Sequence, residues 1–265
     1  MTLKYSKPLN KTTLYNAYKA TSQRLFLFDY DGTLTPIVSN PEDAQPTSTL
    51  LHYLVALCKD PSNTVWIISG RDQTFLEAHL GNIPRLGLSA EHGSFMKKAG
   101  VNDWTDMLKE ADMSWKQVAL NIFETYTACN PGTVIEKKKS SITWHYRNAK
   151  DTEEATRQSQ SCYQELIKIP GVDILVGKMN LEVRSLLVNK GQVVKRIKQK
   201  HQTDFVMCAG DDQTDEDMFN VLQDEKTAFC VSVGPLSKTT LAKYSVEQSE
   251  DIVNIIGQLV NHSTL

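Results

Sequence analysis

The chain reads as an α/β fold: a parallel sheet with helices on both faces, carrying an inserted α+β unit. Three observations predict it. Short apolar runs near both ends of the chain alternate with stretches of helical periodicity, the pattern of strands joined by crossover helices. In the middle the order changes to helix-strand-strand-helix-strand-strand, which suits a separate small unit. Polar residues of a matching kind follow several of the apolar runs, and ligands of open parallel sheets sit beyond those strand ends.

Each element has its own warrant. Apolar runs predict strands over 25–28, 65–68, 86–90, 205–209 and 228–233. Helical spacing marks 50–58, 73–80, 191–200 and 252–260. In the middle, 115–129 reads as a helix stopped by Pro131-Gly132. Strands over 133–136 and 141–146 follow, joined by Lys137-Lys138-Lys139. Asp151 caps a helix running to about 168, ended by Pro170-Gly171, and strands over 172–176 and 180–186 close the unit. The expected division is a core of residues 1–110 and 186–265 and an insert of residues 111–185.

Bulk properties exclude several classes. Net charge is −2, so no broad basic field invites nucleic acid or an anionic membrane. No apolar run has the length of a membrane span, and residues 1–13 lack the apolar core of a signal peptide. Five scattered cysteines, Cys58, Cys129, Cys162, Cys208 and Cys230, form no CxxC pair, which argues against a disulfide framework or zinc site. A reducing cytoplasm is the expected location.

The candidate site lies at four strand or helix ends. Asp29 and Asp31 follow the first strand at i, i+2, so both lean the same way off its tip before Gly32-Thr33 turns the chain. One carboxylate can attack an electrophile while the other handles a proton, and together they suit a hard cation. Asp-Gly after a strand is also an ordinary turn. Ser69-Gly70-Arg71 follows the second strand, where a hydroxyl and close backbone suit a phosphate oxygen. Lys190 begins a helix and can neutralise phosphate charge, or can be a solvated surface residue. Gly210-Asp211-Asp212-Gln-Thr-Asp215-Glu216-Asp217 follows the fourth strand, and so many carboxylates exceed what helix capping requires. A bound cation is the better reading of that cluster.

In this order, Asp-x-Asp-Gly-Thr, Ser-Gly-Arg, Lys-Gly and Gly-Asp-Asp-x-Thr-Asp resemble the haloacid dehalogenase superfamily of phosphatases. The long gap between Ser69 and Lys190 leaves room for an α+β cap domain. Ala90-Glu-His-Gly93, Ser140-x-x-x-Trp144-His-Tyr-Arg147 and Gly177-Lys-x-Asn-x-Glu-x-Arg184 are similar to segments of trehalose-6-phosphate phosphatases. Ser185 departs from them, standing where many relatives have proline.

The resemblance implies a Rossmann-like core, an Mg2+ cofactor, a sugar phosphate substrate and an aspartyl-phosphate intermediate. Asp29 would be the nucleophile and Asp31 the proton donor and acceptor. Asp29, the Asp31 carbonyl and Asp211 would hold the metal, with Asp212 and Asp215 behind them holding metal-bound waters or orienting Lys190. Ser69, Gly70 and the backbone around Gly32 would bind the phosphoryl oxygens, and Lys190 would offset their charge. Arg71, Glu136, Lys138, Arg147, Lys178, Asn180 and Glu182 would contact the substrate. Relatives in fungi often carry a synthase-like domain ahead of the phosphatase, so a trehalose synthase complex is a candidate partner and an excised phosphatase domain of a fungal-type enzyme is the expected origin of the chain. Another sugar phosphatase, a phosphomannomutase, or a non-catalytic regulatory subunit are the competing readings.

Overall fold

The computed structural model describes residues 3–38 and 41–261. Its strands are Lys4–Tyr5 (β1), Lys7–Pro8 (β2), Arg24–Phe28 (β3), Asn63–Ile68 (β4), Leu86–Ala90 (β5), Phe95–Lys97 (β6), Thr105–Asp106 (β7), Val134–Lys137 (β8), Ser141–His145 (β9), Val172–Gly177 (β10), Asn180–Ser185 (β11), Phe205–Gly210 (β12), Ala228–Val233 (β13), Thr239–Thr240 (β14) and Tyr244–Val246 (β15). The α-helices are Lys11–Lys19 (α1), Ser48–Lys59 (α2), Gln73–Leu80 (α3), Trp115–Cys129 (α4), Thr152–Leu166 (α5), Lys190–Lys198 (α6), Glu216–Val221 (α7) and Ser249–Asn261 (α8).

Two units emerge: Met1–Asp106 with Asn189–Leu265, and Met107–Val188. The division falls a few residues inside the sequence-based boundaries on both sides, because β7 pairs with β6 in the core sheet and residues 186–188 stay with the insert.

The core unit holds a nine-stranded sheet in the order β2-β15-β13-β12-β3-β4-β5-β6-β7. It is parallel from β2 to β5 and antiparallel from β5 to β7. The chain runs outward from β3 through β4 and β5, then returns on the other side through β12 and β13. The order therefore reverses between β3 and β12, and such a switch point opens a crevice beyond the strand ends. Phe26, Phe28, Val65, Ile67, Met207 and Ala209 join residues of α1, α2, α3 and α8 in one buried cluster. Leu25, Leu27, Val206 and Cys208 point to the opposite face by strand alternation and are also buried, so the central strands are covered on both sides.

The inserted unit has a four-stranded antiparallel sheet, β10-β11-β9-β8. Ile142, Trp144, Leu181 and Val183 cluster with Phe123 of α4 and Ala155, Cys162 and Leu166 of α5. Trp144 is fully buried there, with Phe123, Tyr126 and Tyr146 around its ring. Alternation turns the other set of side chains to the opposite face. Glu136, Thr143 and Glu182 stand in one register row, and His145 and Asn180 in the next.

The elements expected from sequence are present with small shifts at their ends. The N-terminal segment differs: the sequence predicts no element there, and it forms β1, β2 and α1, the last held by Leu14 and Tyr18 one helical turn apart. No helix among the described residues is long and apolar enough to cross a membrane. Cys129 is exposed, and Cys58, Cys162, Cys208 and Cys230 are buried. Cys208 and Cys230 are register partners on β12 and β13.

Candidate active site

Asp29 emerges from β3, whose neighbours β12 and β4 fix its height: the Asp29 amide donates to the Ala209 carbonyl at 3.0 Å. The chain then wraps on itself, with the Thr33, Leu34 and Thr35 amides all turned to the Tyr30 carbonyl. Gly32 takes φ +78°, and a Cβ there would collide with the Asp211 carboxylate. Two strand tips are thereby brought into direct contact. Thr33 Oγ1 donates to Asp29 Oδ2 at 3.2 Å.

Lys190 is 1% exposed. Its ammonium donates to Asp29 Oδ1 and Asp215 Oδ1, both at 2.7 Å. The solvated-surface reading of this lysine is thus wrong. Asn189 caps α6 by accepting from the Gln192 amide at 2.8 Å, which starts the helix at the lysine. Gly191 lets the same turn lie on α7, where a Cβ would come within 2.6 Å of the Asp217 carbonyl. Burial alone would drive the Lys190 pKa down, but Asp215 and Asp29 reverse that and hold it well above its ordinary value.

The fourth motif closes the site. Asp215 is fully buried and accepts from the amides of Asp211 at 2.8 Å and Asp212 at 3.0 Å, besides Lys190. Asp212 caps the following turn through the Thr214 amide and hydroxyl, each at 2.7 Å. Asp29, Asp211 and Asp215 offer carboxylate oxygens that all lie within 4.8 Å of one another. Burial pushes Asp29 up to about 7, with Lys190 opposing and Asp212 and Asp211 adding to the rise. Burial likewise pushes Asp211 up to about 7, helped by Asp212 and Asp215. One lysine does not offset this charge, and an all-oxygen donor set without Cys or His fits a hard divalent cation. Asp215, expected behind the metal, orients Lys190 directly and also lies within the cluster.

Ser69 follows β4 fully buried, and its Oγ accepts from the Arg71 amide at 3.1 Å. The His92 ring lies against Gly70, and the amides of Glu91 and His92 donate to the carbonyls of Arg71 and Ser69 at 2.9 Å. Arg71 was expected at the substrate; here it grips Asp31 with both arms, Nε to Oδ2 at 2.7 Å and Nη2 to Oδ1 at 2.6 Å. Lys238, which the sequence reading passed over, donates to the Asp211 carbonyl. It sits in the loop between β13 and β14, too far past the end of β13 for the strand-end rule that found the other motifs.

The remaining expected substrate contacts lie in the inserted unit. Glu136 Oε2 meets His145 Nε2 at 2.9 Å, and Lys138 stands 3.7 Å from Glu136 Oε1. The hydrogen bond from His145 chiefly holds the Glu136 carboxyl below its ordinary range. Arg147 donates to the Lys178 carbonyl at 3.3 Å. Asn180 opens β11. Two residues on, Glu182 Oε1 is buried with no hydrogen-bond partner among the described residues, an acceptor suited to a ligand hydroxyl.

A parallel sheet with this carboxylate–lysine cluster at its switch point defines a core of the haloacid dehalogenase type. Residues 27–250 match the trehalose-phosphatase family model. A trehalose-phosphatase of Schizosaccharomyces pombe is 43% identical over 93% of this chain and 32% of its own length. A bifunctional trehalose-6-phosphate synthase/phosphatase of Thermoproteus tenax is 38% identical over 97% of this chain and 34% of its own. The C-terminal domain of the C. albicans trehalose-6-phosphate phosphatase superposes with a TM-score of 0.89 at 42% identity, covering 97% of this chain and 99% of that one. The chain belongs to the trehalose-phosphatase family. It spans about a third of the length of the curated relatives it matches.

Proposed function

We propose that this chain hydrolyses trehalose 6-phosphate to trehalose and inorganic phosphate, with Asp29 as nucleophile and Mg2+ as cofactor. The observation that carries the reading is the meeting of Asp29, Lys190, Asp211 and Asp215 in one buried cluster at the sheet's switch point. Bound by Asp29, Asp211 and Asp215 with the Asp31 carbonyl, Mg2+ would withdraw charge from the phosphoryl group and reduce its repulsion of the incoming carboxylate.

The chain's own residues supply the rest. Asp29 Oδ1 is held by Lys190, so Oδ2, held among the described residues by the Thr33 hydroxyl, is the attacking atom. It forms a bond to phosphorus as the bond to the sugar oxygen breaks, and Asp31 gives that oxygen a proton. Water then attacks phosphorus, Asp31 takes its proton, and the bond to Asp29 breaks to release phosphate. Lys190 stays ionised throughout. Ser69 and the backbone at Gly32 and Gly70 receive the phosphoryl oxygens. Glu136, Lys138, Arg147, Lys178, Asn180 and Glu182 read the sugar hydroxyls. The fused synthase/phosphatase relative supports association with a trehalose synthase, and unpaired thiols suit the cytoplasm.

Phosphate release from a panel of sugar phosphates and p-nitrophenyl phosphate tests this. Trehalose 6-phosphate should exceed glucose 6-phosphate and mannose 6-phosphate by at least about ten-fold in kcat/KM, as loss of hydroxyl contacts would dictate. Equal rates on the sugars would sink the disaccharide assignment, and no release from any ester would sink the phosphatase reading.

A further inference from the structure

The bidentate pair between Arg71 and Asp31 has no place in the reaction as just written. Both oxygens of the Asp31 carboxylate accept from one guanidinium. So engaged, each oxygen gives one acceptor position to the guanidinium, and the carboxylate is held to the orientation that Arg71 sets. The pair bridges the ends of two adjacent strands, β3 and β4, beside Ser69. Apart from Asp31, the contacts of Arg71 hold its backbone and one face of its guanidinium. Its amide donates to Ser69 Oγ, its carbonyl accepts from the Glu91 amide, and its guanidinium carbon lies 4.3 Å from the Phe75 ring centre. The Arg71 side chain is 15% exposed and that of Asp31 38%, so the pair is open to solvent on the Asp31 side.

A guanidinium fork matches a tetrahedral oxyanion as well as it matches a carboxylate. We propose that Arg71 is a partner-exchange latch: it holds Asp31 aside in the ligand-free protein and passes to the phosphoryl oxyanion when the ester binds, freeing Asp31 at that moment. Arg71 is then a positioning residue toward Asp31 and a binding residue toward the anion, in sequence. The latch rests on the phosphoryl site proposed above. Its use is to keep the proton-handling carboxylate out of play until an ester is present.

The test follows the Arg71 Nε–H in full-length, Mg2+-loaded protein labelled with 15N-arginine, titrated with tungstate as a tetrahedral oxyanion. The resonance is assigned by its absence in Arg71→Lys. It should move on saturation with tungstate, and in ligand-free Asp31→Asn it should already have left its wild-type position. A second measurement is tungstate affinity in a two-residue cycle. In the Asp31→Asn background, Arg71→Met should weaken binding by about ten- to a hundred-fold, the loss expected for a charged hydrogen-bonded contact. With Asp31 intact the same change should cost less, because there Arg71 must first leave its carboxylate partner. A saturated protein whose Arg71 signal has not moved, or an equal effect of Arg71→Met in both backgrounds, overturns the latch. Failure of wild type to bind tungstate at all overturns the phosphoryl site and the latch with it.

Discussion

Asp29 and Lys190 carry opposite burdens in one buried pair, and each predicts a different failure. Asp29→Asn keeps the shape and leaves Lys190 its contact with Asp215, so the fold should survive. An amide is a poor nucleophile and a poorer metal ligand, so kcat should fall by about a thousand-fold or more. A variant retaining about a tenth of wild-type kcat would remove Asp29 from the nucleophile's role. Lys190→Met strands two buried carboxylates instead. Breaking a buried pair from one side typically costs about 3–5 kcal/mol, to be read from urea unfolding. Asp29 and Asp211 also set a pH dependence. Their folded values near 7 exceed the ordinary carboxyl value of about 4 kept in the unfolded chain. Between those values the folded protein holds protons that the unfolded chain has lost. In the metal-free protein their support of the fold is therefore complete below the lower value and is lost as pH rises through the higher one. Mg2+ should accordingly raise the melting temperature more at pH 8 than at pH 5, where it competes with protons. Equal shifts at both pH values would place the cation elsewhere. At this scale the carboxylates that the fold gathers, Asp29, Asp211 and Asp215, were legible in the sequence, because their motifs each begin where an apolar run ends. The Arg71–Asp31 pair was out of its reach, since two residues forty positions apart meet only once β3 and β4 lie side by side.

Elements decide how firmly those side chains are held. The α6 helix starts at Lys190 because Asn189 caps it, so the cap sets the lysine's position as well as the helix's stability. Asn189→Ala should cost about 1 kcal/mol in urea unfolding and lower kcat, while Asn189→Asp should restore the stability. An alanine variant as stable as wild type would mean that α6 is held by its packing alone. Central strands were legible because continuous apolar runs admit few alternatives. The short strands on one side were not: β2 and β15 have two and three residues, too few for any period, and β2, at the edge, includes Pro8, which tolerates only such a position. The α1 helix was missed for a related reason. It buries just Leu14 and Tyr18, and the residues around them are polar.

At the scale of the whole molecule, two units with separate cores divide the labour. The proposed chemistry belongs to the unit with the parallel sheet, and the polar face of the inserted sheet is the proposed reader of the sugar. Glu182→Ala should therefore lose about ten- to a hundred-fold in kcat/KM on trehalose 6-phosphate and much less on p-nitrophenyl phosphate, which has no sugar hydroxyls to lose. Equal losses on both esters would take Glu182 out of recognition.

The distribution of thiols across these units has a practical consequence. Cys129 is exposed and should react with a maleimide dye within the mixing time, while the other four wait for the chain to open. Cys162 lies within the inserted unit's core, Cys58 on α2 in the core unit, and Cys208 and Cys230 on β12 and β13, the former three positions before Asp211. The native chain thus carries its own stopwatch: peptide-resolved labelling times would report the opening of each unit separately, with no engineered probe.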